Sequence, residues 1–126
     1  MTIDSLKGVD SIHFGDSREK VRKEFGKFTE FRKNKFSKNT TDDFKLFHVY
    51  YNAENEVEAI EFFPESGLEF NDKKLFEMKF SDFNFEDTDI ERDSCSITFK
   101  TLGFSVYSPS NSKIESIVVF RKGYYG

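Results

Sequence analysis

Three residues are of the types that most often carry acid–base, nucleophilic or metal chemistry: His13, His48 and Cys95. They lie 35 and 47 positions apart, which is not the short spacing of zinc ligands. Cys95 could act as a nucleophile only beside a histidine that the fold brings to it. A packed or surface role is more common for such isolated residues. We therefore expect a protein that is not an enzyme and has no catalytic residues, no metal and no cofactor.

Two glutamates at equivalent places of an internal repeat, Glu58 and Glu115, suggest a paired-carboxylate site. Equivalent positions in a sheet need not converge in space, however. Charged side chains on strands commonly prevent edge-to-edge aggregation. We prefer this second interpretation.

The most acidic stretch, residues 82–93, is the strongest candidate for a binding surface. Acidic side chains complement a basic partner and speed its association, and tyrosines are frequent anchors of protein interfaces. We predict that the partner-binding residues are Asp82, Glu86, Asp87, Asp89, Glu91, Asp93, Tyr51, Tyr124 and Tyr125. The alternative, a solvated acidic loop, stays open.

A basic patch with interleaved phenylalanines precedes the first predicted hairpin. Its charges are Arg32, Lys33, Lys35 and Lys38. Such a patch could stack and pair with a nucleic acid. We favour an irregular strand and loop with a solvated face, because the patch is small and the protein is acidic.

The overall charge argues against a general nucleic-acid binder. The chain has 19 Lys or Arg and 23 Asp or Glu, for a net charge of −4, whereas such binders need a basic face. A single cysteine excludes an internal disulfide and suits a reducing compartment. No stretch approaches the roughly 20 apolar residues that span a bilayer. We expect a cytoplasmic protein of one domain, residues 1–126, that contacts neither a membrane nor nucleic acid.

An internal repeat organises the chain. Residues 46–63 and 103–120 align without a gap at an offset of 57, and both show two apolar runs around a polar turn. The identical pairs are Phe47/Phe104, Val49/Val106, Tyr50/Tyr107, Glu58/Glu115, Ile60/Ile117 and Phe63/Phe120. Each copy therefore predicts a β-hairpin, within repeats of about 12–63 and 68–120. Strict alternation would place Val57 and Ala59 on one face and Ile60 and Phe62 on the other.

A short helix is predicted between Asp16 and Gly26. Asp16 and Glu19 have capping-box spacing, and Gly26 suits the left-handed residue that ends a helix. The corresponding stretch of the second copy, residues 74–83, is ambiguous, and the repeat favours a helix there. The predicted fold is therefore α+β: two tandem α-β-β-β repeats forming one antiparallel sheet of about six strands, with the helices on one face.

The residues around the predicted helix carry a family resemblance. The motif consists of Ile12, Phe14, Gly15, Ser17, Val21, Arg22, Phe25 and Gly26. Followed by paired strands, it resembles the tandem helix-plus-sheet modules of the β-lactamase inhibitor protein and of BamE-type lipoproteins. In those families the helix packs on an antiparallel sheet, and the resemblance implies the same arrangement here. The match covers about half of the chain.

The whole chain, with its mild acidity and many phenylalanines, also resembles small bacterial immunity proteins. These accompany polymorphic toxins, including those of contact-dependent growth inhibition systems. The resemblance implies a non-catalytic inhibitor that blocks the C-terminal domain of a cognate toxin, such as a nuclease. The alternative is a small-ligand-binding or enzymatic α+β domain with a Phe-lined pocket.

Overall fold

One antiparallel sheet of eight strands dominates the computed structural model, which describes residues 1–37, 39–110 and 113–124. The strands are β1 (Ile3–Asp4), β2 (Gly8–Val9), β3 (Ile12–His13), β4 (Thr29–Phe31), β5 (Thr41–Asp43), β6 (Phe47–Tyr51), β7 (Val57–Phe62), β8 (Glu69–Phe70), β9 (Lys73–Lys74), β10 (Ile90–Arg92), β11 (Ser96–Phe99), β12 (Phe104–Tyr107) and β13 (Ser116–Phe120). One α-helix is present in this part of the chain, α1 (Arg18–Phe25). Three single 3-10 turns span Pro64–Ser66, Leu75–Glu77 and Phe80–Asp82.

The large sheet has the order β10-β11-β12-β13-β7-β6-β5-β4. Strands β1–β3 form a second sheet, and β8 and β9 form a two-stranded one. Both predicted hairpins are present, as β6–β7 and β12–β13. The predicted α+β fold of two tandem α-β-β-β repeats is wrong, because the described residues are mostly β. The sheet has eight strands rather than about six, and the described residues contain one helix rather than one in each repeat.

A β-bulge in β7 corrects the predicted distribution of side chains over the two faces. Tyr50 pairs with Ala59, but Tyr51 pairs with Val57, so Glu58 is an extra residue in β7. The bulge brings Val57 onto the same face as Ile60, and both are fully buried in the main core. Ala59 lies on the opposite face in a smaller cluster.

Helix α1 forms where the sequence predicts it, but it begins at a different cap. The Ser17 hydroxyl accepts a hydrogen bond from the Lys20 N–H, whereas Asp16 accepts one from the N–H of His13. Gly26 ends the helix with a φ of 72°, which a glycine adopts without strain. Within the described residues, no helix is long and apolar enough to cross a membrane.

The second repeat has 3-10 turns where a helix was expected. Leu75 and Phe83 are buried in the core, and Phe76, Met78 and Phe80 also pack against it. One face of a helix could not turn all five side chains towards the same sheet. An irregular chain with two tight turns can do so.

The main core lies between one face of the large sheet and a covering layer. That layer consists of β1–β3, α1 and residues 68–85, and its buried side chains are Ile3, Val9, Ile12, Val21, Leu68, Phe70, Leu75 and Phe83. The opposite face carries the smaller cluster of Tyr50, Ala59 and Phe120, with Val118 and Tyr124 against it. The sheet is therefore covered fully on one side only.

A buried ion pair fixes α1 to the sheet. Arg22 donates from Nε and Nη2 to the two carboxylate oxygens of Asp42 at 2.8 and 2.7 Å, and Asp42 is fully buried. The Tyr51 hydroxyl donates to the same carboxylate at 3.0 Å. The hydrogen bond to Asp42 raises the pKa of Arg22, and burial followed by the charge of Asp42 raises the pKa of Tyr51. Asp42 therefore accepts hydrogen bonds from side chains of both α1 and β6.

We expect Asp42→Asn to lower the free energy of unfolding by about 3 kcal/mol, because it leaves the guanidinium of Arg22 without its buried counter-charge. Urea unfolding at neutral pH measures this difference. The double variant Arg22→Met/Asp42→Leu should be more stable than Asp42→Asn, since it removes both charges. Glu30→Gln, at the exposed end of the same network, should cost less than about 1 kcal/mol. A stability of Asp42→Asn within about 0.5 kcal/mol of the wild type would contradict this account.

Candidate protein-binding edge

The acidic segment, residues 82–93, leads into one edge strand of the large sheet and includes it. Asp82 ends the last 3-10 turn in the covering layer, and the chain then runs through a loop into the edge strand β10. Asp82, Glu86, Asp89, Glu91 and Asp93 are exposed, and Asp87 is half-buried. The segment has six acidic residues and one basic residue, Arg92, for a net charge of −5. The predicted acidic residues after Asp82 therefore lie in β10 or in the loops that adjoin it.

The outer edge of β10 has backbone groups that point away from the sheet. Lys100 N–H donates to Asp89 C=O and Asp93 N–H donates to Ser96 C=O, both at 3.0 Å. Bonded and non-bonded pairs alternate in an antiparallel ladder, so Ile90 and Arg92 direct their N–H and C=O groups outwards. β10 is terminal in the strand order of the described residues. Such an edge can pair with an added strand.

Asp87 holds the turn between β11 and β12. Its carboxylate accepts from the N–H groups of Asp89 at 2.8 Å, Thr101 at 3.0 Å and Leu102 at 2.9 Å. Burial raises the pKa of Asp87, but the hydrogen bonds from Thr101, Asp89 and Leu102 together outweigh it and leave the pKa below its ordinary value. Asp87 therefore has a structural role that its position in the acidic run did not predict.

Asp93 holds the neighbouring turn in the same way. It accepts from the N–H groups of Cys95 and Ser96, both at 2.8 Å, and from the Ser96 hydroxyl at 2.9 Å. The hydrogen bond from Cys95, followed by those from Ser96, lowers the pKa of Asp93. Glu91 has a looser contact, with its Oε2 3.7 Å from the Nζ of Lys100. The carboxylates most accessible to a partner are therefore those of Asp82, Glu86, Asp89 and Glu91.

An open groove of about 520 Å³ lies beside this edge. It is lined by Phe85, Glu86, Asp87, Thr88, Ile90 and Thr101. Ile90 is 36% exposed, and Phe85 packs against Phe70 and Phe99 while remaining half-buried. Neither apolar residue was predicted to belong to the site. A signal for Ile90 was present in the sequence, since it is the one aliphatic residue in the acidic segment.

Two of the predicted tyrosine anchors, Tyr51 and Tyr124, do not join the acidic edge. Tyr51 is 3% exposed and lies in the Arg22–Asp42 network, with the guanidinium carbon of Arg18 4.2 Å from its ring centroid. Tyr124 stacks on Phe120 over the opposite face, with ring centroids 5.8 Å apart. Tyr125 lies outside the described residues. The prediction is therefore corrected for Tyr51, whose ring is inside the protein.

His48 lies on the opposite face of the sheet, between two aromatic rings. Phe31 and Phe63 contact it edge-on, with centroid distances of 5.1 and 4.8 Å. Its Nε2 is 3.4 Å from Oδ1 of Asp43. Next to it, the Tyr50 hydroxyl donates to Glu61, and burial followed by this hydrogen bond raises the pKa of Tyr50. This is the described site that most resembles an acid–base pair.

The other residues considered for chemistry are dispersed. His13 lies 3.9 Å from Asp16, and the Sγ of Cys95 contacts Pro109 C=O at 3.6 Å. Glu58 lines a small cavity of about 120 Å³ with Tyr50 and Tyr124, whereas Glu115 is exposed. Across residues 1–37, 39–110 and 113–124, no three His, Cys, Asp or Glu side chains are grouped to hold a metal ion.

We expect Asp87→Ala to lower the free energy of unfolding by about 1–3 kcal/mol at neutral pH, because three N–H groups lose a charged acceptor. Asp87 has a lowered pKa in the folded protein, so its contribution is complete above its pKa in the unfolded chain. It is lost as the pH falls through the lower, folded value. The difference between wild type and variant should therefore shrink below about pH 4 in urea titrations. The exposed neighbour substitution Glu86→Gln should have little effect, and a pH-independent difference for Asp87→Ala would contradict the charged-acceptor account.

Comparisons of the chain with protein-family models, with curated proteins and with solved structures found no match.

Proposed function

We propose that the protein is a non-catalytic inhibitor, an immunity protein that binds the C-terminal domain of a cognate toxin and neutralises it in the cytoplasm. The observation that carries the proposal is the outer edge of β10, which is terminal among the described strands, together with the exposed carboxylates of Asp82, Glu86, Asp89 and Glu91 in the same segment. An edge of this kind offers a partner both main-chain hydrogen bonds and negative charge.

A nuclease domain is the toxin type that this edge suits best. Its active site must bind a phosphate backbone and is therefore basic. Carboxylates at the inhibitor edge would occupy the positions of phosphates and raise the rate of encounter. Ile90 and Phe85 in the adjacent groove add apolar surface, which gives the complex affinity after encounter.

A second candidate function rests on the pair of His48 and Asp43. A histidine 3.4 Å from a carboxylate can act as a general base, and Phe31 and Phe63 would form the apolar walls of a small-ligand site. An activity of the purified protein that is lost in His48→Gln, or in Cys95→Ser, would favour this candidate. An inhibitor keeps its function in both variants.

Co-expression tests the proposed function directly. The chain is produced together with the C-terminal domain of the protein that the upstream neighbouring reading frame encodes. We expect a stoichiometric complex on size-exclusion chromatography and survival of cells that produce the toxin domain. If no complex forms and cells are not protected, the proposal is wrong.

A charge-reversal variant tests the position of the interface. The edge variant, Glu86→Lys/Asp89→Lys/Glu91→Lys, leaves the structural residues Asp87 and Asp93 intact. At an ionic strength of about 0.1 M it should slow association with the toxin domain about tenfold or more, because it removes electrostatic steering. Stopped-flow fluorescence measures this rate.

A matched control has the same change in net charge at distant exposed positions. This control variant is Glu24→Lys/Glu54→Lys/Glu65→Lys. Its association rate should stay within about threefold of the wild type, since charges beyond the Debye length of about 10 Å are largely screened. Equal association rates for the edge and control variants would show that the interface with the toxin domain does not include β10.

A further inference from the structure

The connection from β4 to β5 presents one phenylalanine to solvent. Phe36 is 82% exposed. The turn that carries it, residues 32–37, is held by its own hydrogen bonds. Arg32 donates to Ser37 C=O at 2.7 Å, and the N–H of Phe36 donates to the Asn34 side chain at 2.8 Å. Asn34 N–H also donates to the Ser37 hydroxyl at 3.1 Å. We call residues 32–37 the Phe36 turn.

The Phe36 turn carries three cationic side chains, of which Lys35 contacts the Phe36 ring. The Nζ of Lys35 is 5.2 Å from the centroid of the Phe36 ring, and the Nζ of Lys33 is 4.6 Å from that of Tyr50. Arg32, Lys33 and Lys35 are all exposed. A large apolar side chain within a basic rim is unfavourable in water but suited to an apolar groove with an acidic rim.

A groove of that kind lies at the far end of the same sheet. Phe85 and Ile90 are its apolar residues, Glu86 lines it, and Asp89 and Glu91 are exposed on the adjoining edge. Seven strand spacings of about 4.8 Å separate β4 from β10, or about 34 Å in all. The Phe36 turn therefore cannot reach the groove of its own molecule.

We propose that the Phe36 turn of one copy of the chain docks into the β10 groove of a second copy. Phe36 would contact Phe85 and Ile90, and Lys35 beside it would lie near the exposed carboxylates of Glu86, Asp89 and Glu91. The two surfaces differ and lie at opposite edges, so the contact is head-to-tail and can continue from copy to copy. The contact is small, so the association is weak and rapidly reversible.

This inference goes beyond the proposed function and needs no toxin for its test. The toxin complex and the self-association both use the acidic edge, so a bound toxin domain would exclude a second copy of the chain. Phe36→Ser changes only the self-association, because Phe36 lies at the opposite edge. Failure of one proposal therefore leaves the other standing.

Sedimentation velocity of the purified chain tests the proposal at concentrations up to about 1 mM, where contacts of this size become measurable. We expect the sedimentation coefficient to rise with concentration at about 0.05 M salt and much less at about 0.5 M. Phe36→Ser and the edge variant should each remain monomeric. Leu46→Ser, which removes another exposed apolar side chain, and the control variant should associate like the wild type.

A mixture of two deficient variants gives the decisive result. Phe36→Ser retains the groove, and the edge variant retains the Phe36 turn. An equimolar mixture should form a 1:1 dimer that does not grow further, which only a head-to-tail contact predicts. Wild-type protein that stays monomeric at about 1 mM and low salt, or a mixture that stays monomeric, would overturn the proposal. So would Phe36-dependent binding of a single-stranded oligonucleotide without self-association.

Discussion

The pairing of β7 with β13 at the centre of the sheet is the interaction on which the rest of the structure depends. Each hairpin alone would expose its return strand along one edge. Their pairing joins Ile60 to Val119 and Phe62 to Ile117. The repeat offset of 57 relates Ile60 to Ile117 and Phe62 to Val119, so each of the two pairs is the repeat equivalent of the other. Glu61 and Val118, which are also equivalent and paired, lie at the centre of this symmetric register. Among the described strands, the joined sheet then ends at two edges, β4 and β10, instead of four.

The two halves differ in what covers this symmetric centre, and one buried position explains the difference. Asp42 pairs with Val49 in the first half, and Ile97 pairs with Val106 in the second. The two valines are equivalent in the repeat, so Asp42 and Ile97 occupy matching places. A buried carboxylate requires a cationic partner, which Arg22 of α1 supplies. A buried isoleucine requires apolar cover, which the irregular segment 68–85 supplies.

Local patterns in the sequence were sufficient for the hairpins and the first helix, because alternation, turn residues and caps act over a few positions. They were not sufficient for the bulge at Glu58, since a strict period of two assumes no inserted residue. The sign of this bulge in the sequence is that two apolar residues, Ala59 and Ile60, are adjacent, which breaks the alternation. The short strands β4, β5 and β10 are polar; the sequence predicted only one irregular strand where β4 and β5 lie, and β10 was missed. In them, pairing with a neighbour outweighs intrinsic propensity.

The sequence predicted the composition of the candidate site but not which of its side chains are accessible, because local patterns do not report long-range contacts. A run of carboxylates is visible in any sequence, and the structure places it at one edge. Which carboxylates are available to a partner depends on long-range contacts, such as those of Asp87 with the backbone of Thr101 and Leu102. Tyr51 is also inaccessible to a partner, because its hydroxyl bonds to Asp42 inside the protein. No local pattern in the sequence indicates that Asp42 is buried.

The net charge of −4 describes this molecule poorly, because its charges are separated along the sheet. Residues 27–38 have five basic side chains and one acidic one, a local charge of +4, and they adjoin β4; residues 82–93 have a local charge of −5 and adjoin β10. About 34 Å separates these edges, several times the Debye length of about 8 Å at physiological ionic strength. A partner therefore encounters mostly basic side chains beside β4 and mostly acidic ones beside β10.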